Sequence, residues 1–292
     1  MTETSLYTVD GRAALRIERA LAHPPEKVWR ALTEPSQLNQ WFPFDVESTL
    51  EVGGTVRFSD RAGGPLTTGV ITDLEPPKLL AYTWETDHLR WELSRTATGC
   101  ALVLTHTVHD RYGTASFAAG WHACIDWLDA VLAGRPTERP DNMDGTHERF
   151  VAELGLDQGE VTEVPEGWRV RFERQLVRPA TQAWLALVGD DEPTVGGPLP
   201  AGAEVAGFGV GTLTEAVPGK ALAYEWLADG TPAGTIRWEL GEGTGHGARA
   251  VLTQTGPSDR SNDQSRAVSA CHDRIEDLAA HLASTPKATP AS

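Results

Sequence analysis

The amino-acid sequence contains the same series of motifs twice. Arg90-Trp-Glu-Leu93 recurs unchanged as Arg237-Trp-Glu-Leu240, 147 positions later. The segment 78–84, Lys-Leu-Leu-Ala-Tyr-Thr-Trp, returns at 220–226 as Lys-Ala-Leu-Ala-Tyr-Glu-Trp. A chain of 292 residues is comfortable for two ordinary domains, each able to bury a core of its own. The repeat therefore predicts two copies of one domain.

Each copy shows the same predicted order of elements. A strand and short helices come first, several alternating apolar and polar strands follow, and an amphipathic helix of about 114–132 ends the first copy. This order predicts an α+β fold, in which one antiparallel sheet packs against a long carboxy-terminal helix. A possible helix at 146–156 is assigned to the tail of the first domain. The predicted domains are then 1–159 and 160–292.

The copies differ most after their first helix. Trp29 lies 40 residues before Gly69, whereas the matching Trp184 lies only 27 residues before Gly211. The second copy is therefore 13 residues shorter here, and what it lacks includes the region 37–44, where a stretch rich in glycine and proline takes its place. The first copy alone thus has a second short helix ending in two aromatic residues. These two aromatic residues either line the mouth of a cavity or belong to the core.

Composition excludes some kinds of partner. The chain has 25 basic and 41 acidic residues, a net charge of −16, which disfavours nucleic acid and anionic membrane surfaces. There is no cationic start followed by an apolar run and no segment long enough to span a membrane, so we expect a cytoplasmic protein. Three widely spaced cysteines, Cys100, Cys124 and Cys271, indicate reduced thiols and no disulfide framework.

Motifs for catalysis or for a cofactor are absent from the sequence. The glycines of 207–211 do not have the spacing of a dinucleotide-binding loop, and no nucleophile elbow, Walker lysine or zinc-protease pair occurs. We therefore predict no catalytic residue, no metal and no cofactor. His106 and His122 could bind a ligand oxygen or act as an acid or base, or could be ordinary hydrogen-bonded core residues. The second copy keeps His272 but has Gln254 in place of His106, which disfavours acid–base chemistry common to both copies.

Four segments carry a resemblance to a known family, namely 23–42, 69–85, 101–108 and 120–132. Together they resemble the branch of the START-like (SRPBCC) superfamily that is named for activators of the heat-shock-protein-90 ATPase. The resemblance implies a helix-grip fold with a cavity between sheet and helix, here in tandem, and implies no catalytic residues.

On this basis the predicted function is binding of a small hydrophobic or aromatic ligand in the first domain, with a second domain that is mainly structural. The alternatives are a polyketide aromatase/cyclase-like enzyme that uses the same cavity, and a co-chaperone-like regulator of an Hsp90-type ATPase, for which a protein partner is conceivable. The predicted ligand-binding residues are Trp41, Phe42, Phe44, Tyr82, Trp84, His106, Trp121, His122 and Ile125.

Overall fold

The chain divides into two compact units, Met1–Met143 and Asp144–Ser292. The structure is a computed structural model that describes residues 2–62, 64–137, 142–190, 192–245 and 247–285. The sequence also predicts a polar, proline-containing linker that begins at Arg135, and part of it, 138–141, lies outside the described residues.

Within its described residues, the first unit contains an eight-stranded antiparallel sheet and three α-helices. Its strands are β1 (Thr2–Val9), β2 (Arg12–Leu21), β3 (Asp45–Ser48), β4 (Thr55–Ser59), β5 (Pro65–Glu75), β6 (Leu79–Trp84), β7 (Asp87–Arg95) and β8 (Cys100–Val108), in the spatial order β1-β2-β8-β7-β6-β5-β4-β3. Its helices are α1 (Pro25–Thr33), α2 (Pro35–Trp41) and α3 (Thr114–Leu132). The strands at the two edges of this sheet, β1 and β3, were not predicted from the sequence.

In the part of it that the structure describes, the second unit contains a six-stranded antiparallel sheet and three α-helices. Its helices are α4 (Asp144–Glu153), α5 (Ala180–Val188) and α6 (Ser261–Ser284). Its strands are β9 (Glu160–Val164), β10 (Gly167–Gln175), β11 (Gly209–Val217), β12 (Ala221–Ala228), β13 (Thr231–Glu242) and β14 (Ala248–Pro257), in the order β11-β12-β13-β14-β10-β9. The predicted fold class, α+β with two helix-grip domains, is confirmed.

Strand pairing supports the internal repeat residue by residue. His106 on β8 lies opposite both Leu15 on β2 and Leu89 on β7. In the second unit Gln254 on β14 lies opposite Val170 on β10, which follows Leu15 by 155 positions. His106 and Gln254 therefore occupy equivalent places in the two sheets, as the repeat predicted.

The long helices α3 and α6 present equivalent apolar faces to the two cores. Their buried residues correspond at an offset of 150 positions, and because these residues recur every three or four positions they form one face of each helix. The four matching pairs are Trp121 and Cys271, Ile125 and Ile275, Leu128 and Leu278, and Leu132 and Leu282.

Helix α4 lies in the unit Asp144–Ser292, whereas the sequence analysis assigned this segment to the tail of the first domain. The guanidinium of Arg178, in the connection after β10, donates to the Asp144 carboxylate over 2.6 Å, and Arg174 on β10 is paired with Glu148. These ion pairs connect residues far apart in the chain, so the apolar pattern of the helix alone could not reveal its partner. The domain limits 1–159 and 160–292 stay a prediction.

Candidate ligand cleft

The first unit contains a dense cluster of aromatic side chains between α2, α3 and the sheet. Trp41 and Phe42, at the end of α2, are almost completely buried. The Trp41 ring centroid is 6.0 Å from that of Trp91, and the Phe42 centroid is 5.8 Å from that of Trp121. Burial of large aromatic rings is a major source of core stability. In the structure both residues are thus core side chains, which is one of the two alternatives that the sequence left open for them.

An open apolar cleft of about 120 Å³ adjoins this cluster. It is bounded by the loop after α2, the end of β6 and one face of α3. Its lining residues are Pro43, Trp84, Ser116, Phe117, Gly120, Trp121 and Cys124. Two of the nine predicted ligand-binding residues, Trp84 and Trp121, are therefore in the lining.

The other predicted residues lie behind the cleft or away from it. Phe44 packs edge-on against Trp84, with ring centroids 5.6 Å apart. Tyr82 is buried and its hydroxyl accepts a hydrogen bond from Trp91 Nε1 over 3.3 Å. Ile125 belongs to the buried face of α3. These three side chains support the cleft without forming its surface.

His106 is buried and both of its ring nitrogens are engaged. Trp121 Nε1 donates to His106 Nδ1 over 3.0 Å, and His106 Nε2 lies 3.1 Å from Asp87 Oδ2. An indole N–H can only donate, so Nδ1 must be the acceptor and the ring hydrogen must be on Nε2, where it is donated to the carboxylate. His106 thereby fixes the orientation of the Trp121 ring that lines the cleft.

The chain of polar contacts continues to Asp87 and Arg12, which the sequence analysis missed. The Arg12 guanidinium is 3.6 Å from the Asp87 carboxylate and donates to the carbonyl oxygen of Thr86 over 2.7 Å. A signal for Asp87 was present, because it precedes Leu89 by two residues on β7 and so points to the same face of the sheet. No comparable signal existed for Arg12, whose approach depends on the pairing of β2 with β8.

His122 lies on a different side of α3 from the cleft. Its Nε2 is 2.8 Å from the hydroxyl oxygen of Thr4 on β1. The structure therefore does not bring His106 and His122 together in one pocket, although the sequence analysis expected both at the same cavity.

The second unit keeps the connection between strand and helix with different side chains. Cys271 Sγ donates to Gln254 Oε1 over 3.2 Å, in the place of the bond from Trp121 to His106. Burial raises the pKa of the Cys271 thiol to about 12, so the thiol remains protonated and can donate. A helix-to-strand hydrogen bond is thus common to both units.

Within the described residues, no group of three or more His, Cys, Asp or Glu side chains is placed to hold a metal ion. No helix in that part of the chain is long and apolar enough to span a membrane.

The two sheets, each gripping a long helix, define a pair of helix-grip domains. Residues 22–133 match the model of the family described as Activator of Hsp90 ATPase homolog 1-like protein. The first unit is therefore similar to that family over most of its length. The matched segment contains α1 to α3 and β3 to β8, and so includes every residue that lines the cleft.

Several solved structures resemble part of the chain. A conserved protein of unknown function from Enterococcus faecalis is 24% identical over 52% of this chain and 91% of its own, with a TM-score of 0.46. CalU16 from Micromonospora echinospora is 21% identical over 53% of this chain and 96% of its own, with a TM-score of 0.43. A protein from Mesorhizobium loti is 28% identical over 42% of this chain and 98% of its own, with a TM-score of 0.38. No curated protein matches the sequence.

Proposed function

We propose that the first unit binds a small apolar ligand, or the apolar end of a larger one, in the cleft beside Trp84 and Trp121. The single observation that carries this proposal is the chemistry of the lining. Apart from Ser116, the lining side chains are aromatic, aliphatic or sulfur-containing, or belong to glycine. The Trp121 N–H, which could have bound a polar ligand, is already donated to His106.

The size of the cleft defines what it accommodates. Its volume of about 120 Å³ is close to that of an engineered apolar cavity of about 150 Å³ that binds benzene in another protein. Pockets for complete drug-sized ligands are larger, about 300–1,000 Å³. The matching group is therefore one aromatic ring or a short branched alkyl chain, and the rest of a larger ligand would remain outside.

The hydrogen-bonded residues behind the cleft, His106 and Asp87, favour a binding function over a catalytic one. A general acid or base must be within hydrogen-bond reach of the group that it protonates or deprotonates. Both nitrogens of His106 are occupied by Trp121 and Asp87, and the ring is buried behind the Trp121 side chain. The role of His106 here is to position Trp121. The cyclase-like enzyme is therefore less well supported than ligand binding.

Gly120 provides a direct test, because it lies in the lining on α3. A Cβ built at this position would meet no described atom within 4 Å, and its backbone is helical. We expect Gly120→Leu to fill the cleft without disturbing the fold. Toluene and indole, followed by saturation-transfer NMR, should then bind at least about tenfold more weakly, which corresponds to the loss of about two buried methylene groups.

Gly145→Leu is the matched control. Gly145 also lies in a helix and has open space around its Cβ, but it belongs to the second unit, which does not contain the cleft. It should leave binding of both probes unchanged. If wild-type protein gave no saturation transfer, or if Gly120→Leu bound the probes as wild type does, the proposal would be wrong.

A further inference from the structure

The second unit has its own groove on the equivalent face of its long helix. One part of about 350 Å³ and another of about 250 Å³ lie along α6, and both are lined by Arg274 and Asp277. Three helix positions that line the first unit's cleft recur in this groove, 150 positions later. The pairs are Ser116 and Arg266, Gly120 and Ala270, and Cys124 and Arg274.

A shorter connection borders this groove where the first unit has α2. The 3-10 turn Ala201–Ala203 is held to the sheet because Trp238 Nε1 donates to the carbonyl oxygen of Ala203 over 2.9 Å. The backbone N–H of Val205 donates to the hydroxyl oxygen of Tyr224 over 3.0 Å. Ala206 and Gly207 then form the wall that faces α6. The groove therefore lies between two elements that are both fixed to the core.

Arg274 is the central cation of the groove and is half-buried. Its guanidinium donates to the carbonyl oxygen of Gly202 and lies 5.8 Å from the centroid of the Trp238 ring. In the part of the chain that the structure describes, no carboxylate oxygen lies within 4.0 Å of it. Burial lowers the pKa of Arg274, against the smaller opposite effect of Asp277. A partly desolvated guanidinium of this kind is well suited to bind a carboxylate.

Two aspartates, Asp273 and Asp277, also line this groove, one helical turn apart. Asp273 and Asp277 are both exposed and lie on one face of α6 because they are four residues apart. Asp273 Oδ1 is 3.5 Å from His272 Nδ1. Arg266, at one end, is paired with Asp263 over 3.0 Å and covers the Phe208 ring at 4.5 Å. The groove thus offers one available guanidinium next to two carboxylates.

We propose that this groove binds a small zwitterion of the amino-acid type. The carboxylate of the ligand pairs with Arg274, and its ammonium group lies between Asp273 and Asp277. A modest apolar side chain fits against Ala206 and Ala270, which also line the groove. The second unit is then a binding module with ligand chemistry different from that of the first, and not only a structural copy.

Three related probes test the charge requirement on the full chain by isothermal titration calorimetry. L-Leucine has both charges, N-acetyl-L-leucine lacks the cation, and L-leucinamide lacks the carboxylate. We expect leucine to bind at least about tenfold more tightly than either derivative, since each lost charged contact is of that size. Equal binding of leucine and N-acetyl-leucine would define a simple anion site and would overturn the proposal.

Two variants locate the site. Arg274→Met should weaken leucine binding at least about tenfold, whereas Arg169→Met, which replaces an exposed arginine of β10, should not change it. Ser269→Trp places a large side chain in the groove from an exposed helix position and should block leucine even if Arg274→Met does not fold. Unchanged leucine binding in Ser269→Trp, or no leucine binding to wild type, would contradict the proposal.

Discussion

The two units share a framework but use the same helix face in opposite ways. In the first unit α2 brings Trp41 and Phe42 into the core, and only a small apolar cleft remains beside α3. In the second unit a shorter connection stands in that place, and a larger charged groove lies beside α6. The loss of one short helix is thus accompanied by a change from small uncharged residues, Ser116 and Cys124, to arginine at the matching positions 266 and 274 of the long helix.

What the copies retain are the contacts that attach the long helix to the sheet. Arg19 on β2 pairs with Asp126 on α3, and Arg174 on β10 pairs with Glu276 on α6 at the corresponding place. The hydrogen bond from helix to strand is also kept, although its side chains differ. Equivalent positions with different surroundings give pairs of substitutions whose effects should differ.

The largest difference is expected for the two matching arginines. Arg174 is 2% exposed and contacts both Glu148 and Glu276, whereas the Arg19 side chain is 21% exposed and its partner Asp126 is 63% exposed. Arg174→Met removes a buried cation and leaves the partly buried carboxylates of Glu148 and Glu276 without that partner, which should lower the free energy of unfolding by about 3 kcal/mol or more. Arg19→Met should lower it by at most about 1 kcal/mol.

Urea unfolding followed by circular dichroism measures both variants against wild type. Equal losses for Arg174→Met and Arg19→Met would mean that burial does not distinguish the two ion pairs.

The next largest effect depends on pH and is confined to the second unit. Burial, together with the nearby charge of Arg174, lowers the pKa of His147 to about 4, against about 6.5 in an unfolded chain. As the pH falls below about 6.5, the unfolded state takes up a proton that the folded state does not take up until about pH 4. The free energy of unfolding therefore falls as the pH is lowered from about 6.5 to about 4, by about 3 kcal/mol in total.

His147→Gln should remove this part of the pH dependence, because glutamine can still donate to the carbonyl oxygen of Gln175 but does not titrate. The comparison is the difference in urea midpoint between wild type and variant at pH 7, 5.5 and 4.5. A constant difference across these three values would show that His147 does not carry the effect.

The sequence revealed the framework because the framework is what repeats. The motifs around Trp29 and Arg90, with the offsets between copies, predicted two helix-grip domains and the correspondence of His106 with Gln254. Strand alternation could also have indicated that Asp87 faces inward. These features depend on local periodicity, which a single sequence displays directly.

The sites were harder to predict because they depend on volumes and on contacts between distant segments. Trp41 and Phe42 form an aromatic pattern that suits a core and a cavity mouth equally well, and only packing decides between them. The absence of a helix equivalent to α2 suggested a degenerate second copy. The shorter connection in its place nevertheless leaves a larger groove beside the long helix. The role of Arg274 required the position of Trp238 and Gly202, neither of which is near it in sequence.

The smallest expected difference concerns the two equivalent strand positions, His106 and Gln254. His106→Leu leaves the buried Trp121 N–H without its acceptor and should lower the free energy of unfolding by about 1–3 kcal/mol. Gln254→Leu removes a buried amide whose Nε2 has no hydrogen-bond partner among the described residues. The remaining Cys271 thiol is only a weak donor, so this change should be neutral or stabilising by up to about 1 kcal/mol.

Urea unfolding of both leucine variants tests this difference in sign, and near-ultraviolet circular dichroism reports on the setting of Trp121. We expect the near-ultraviolet spectrum to change in His106→Leu and to remain that of wild type in Gln254→Leu, because only the first substitution removes the acceptor of an indole N–H. A loss of stability in Gln254→Leu as large as in His106→Leu would mean that the amide has a partner, such as an ordered water, and that both hydrogen bonds between strand and helix contribute equally to holding the long helices on their sheets.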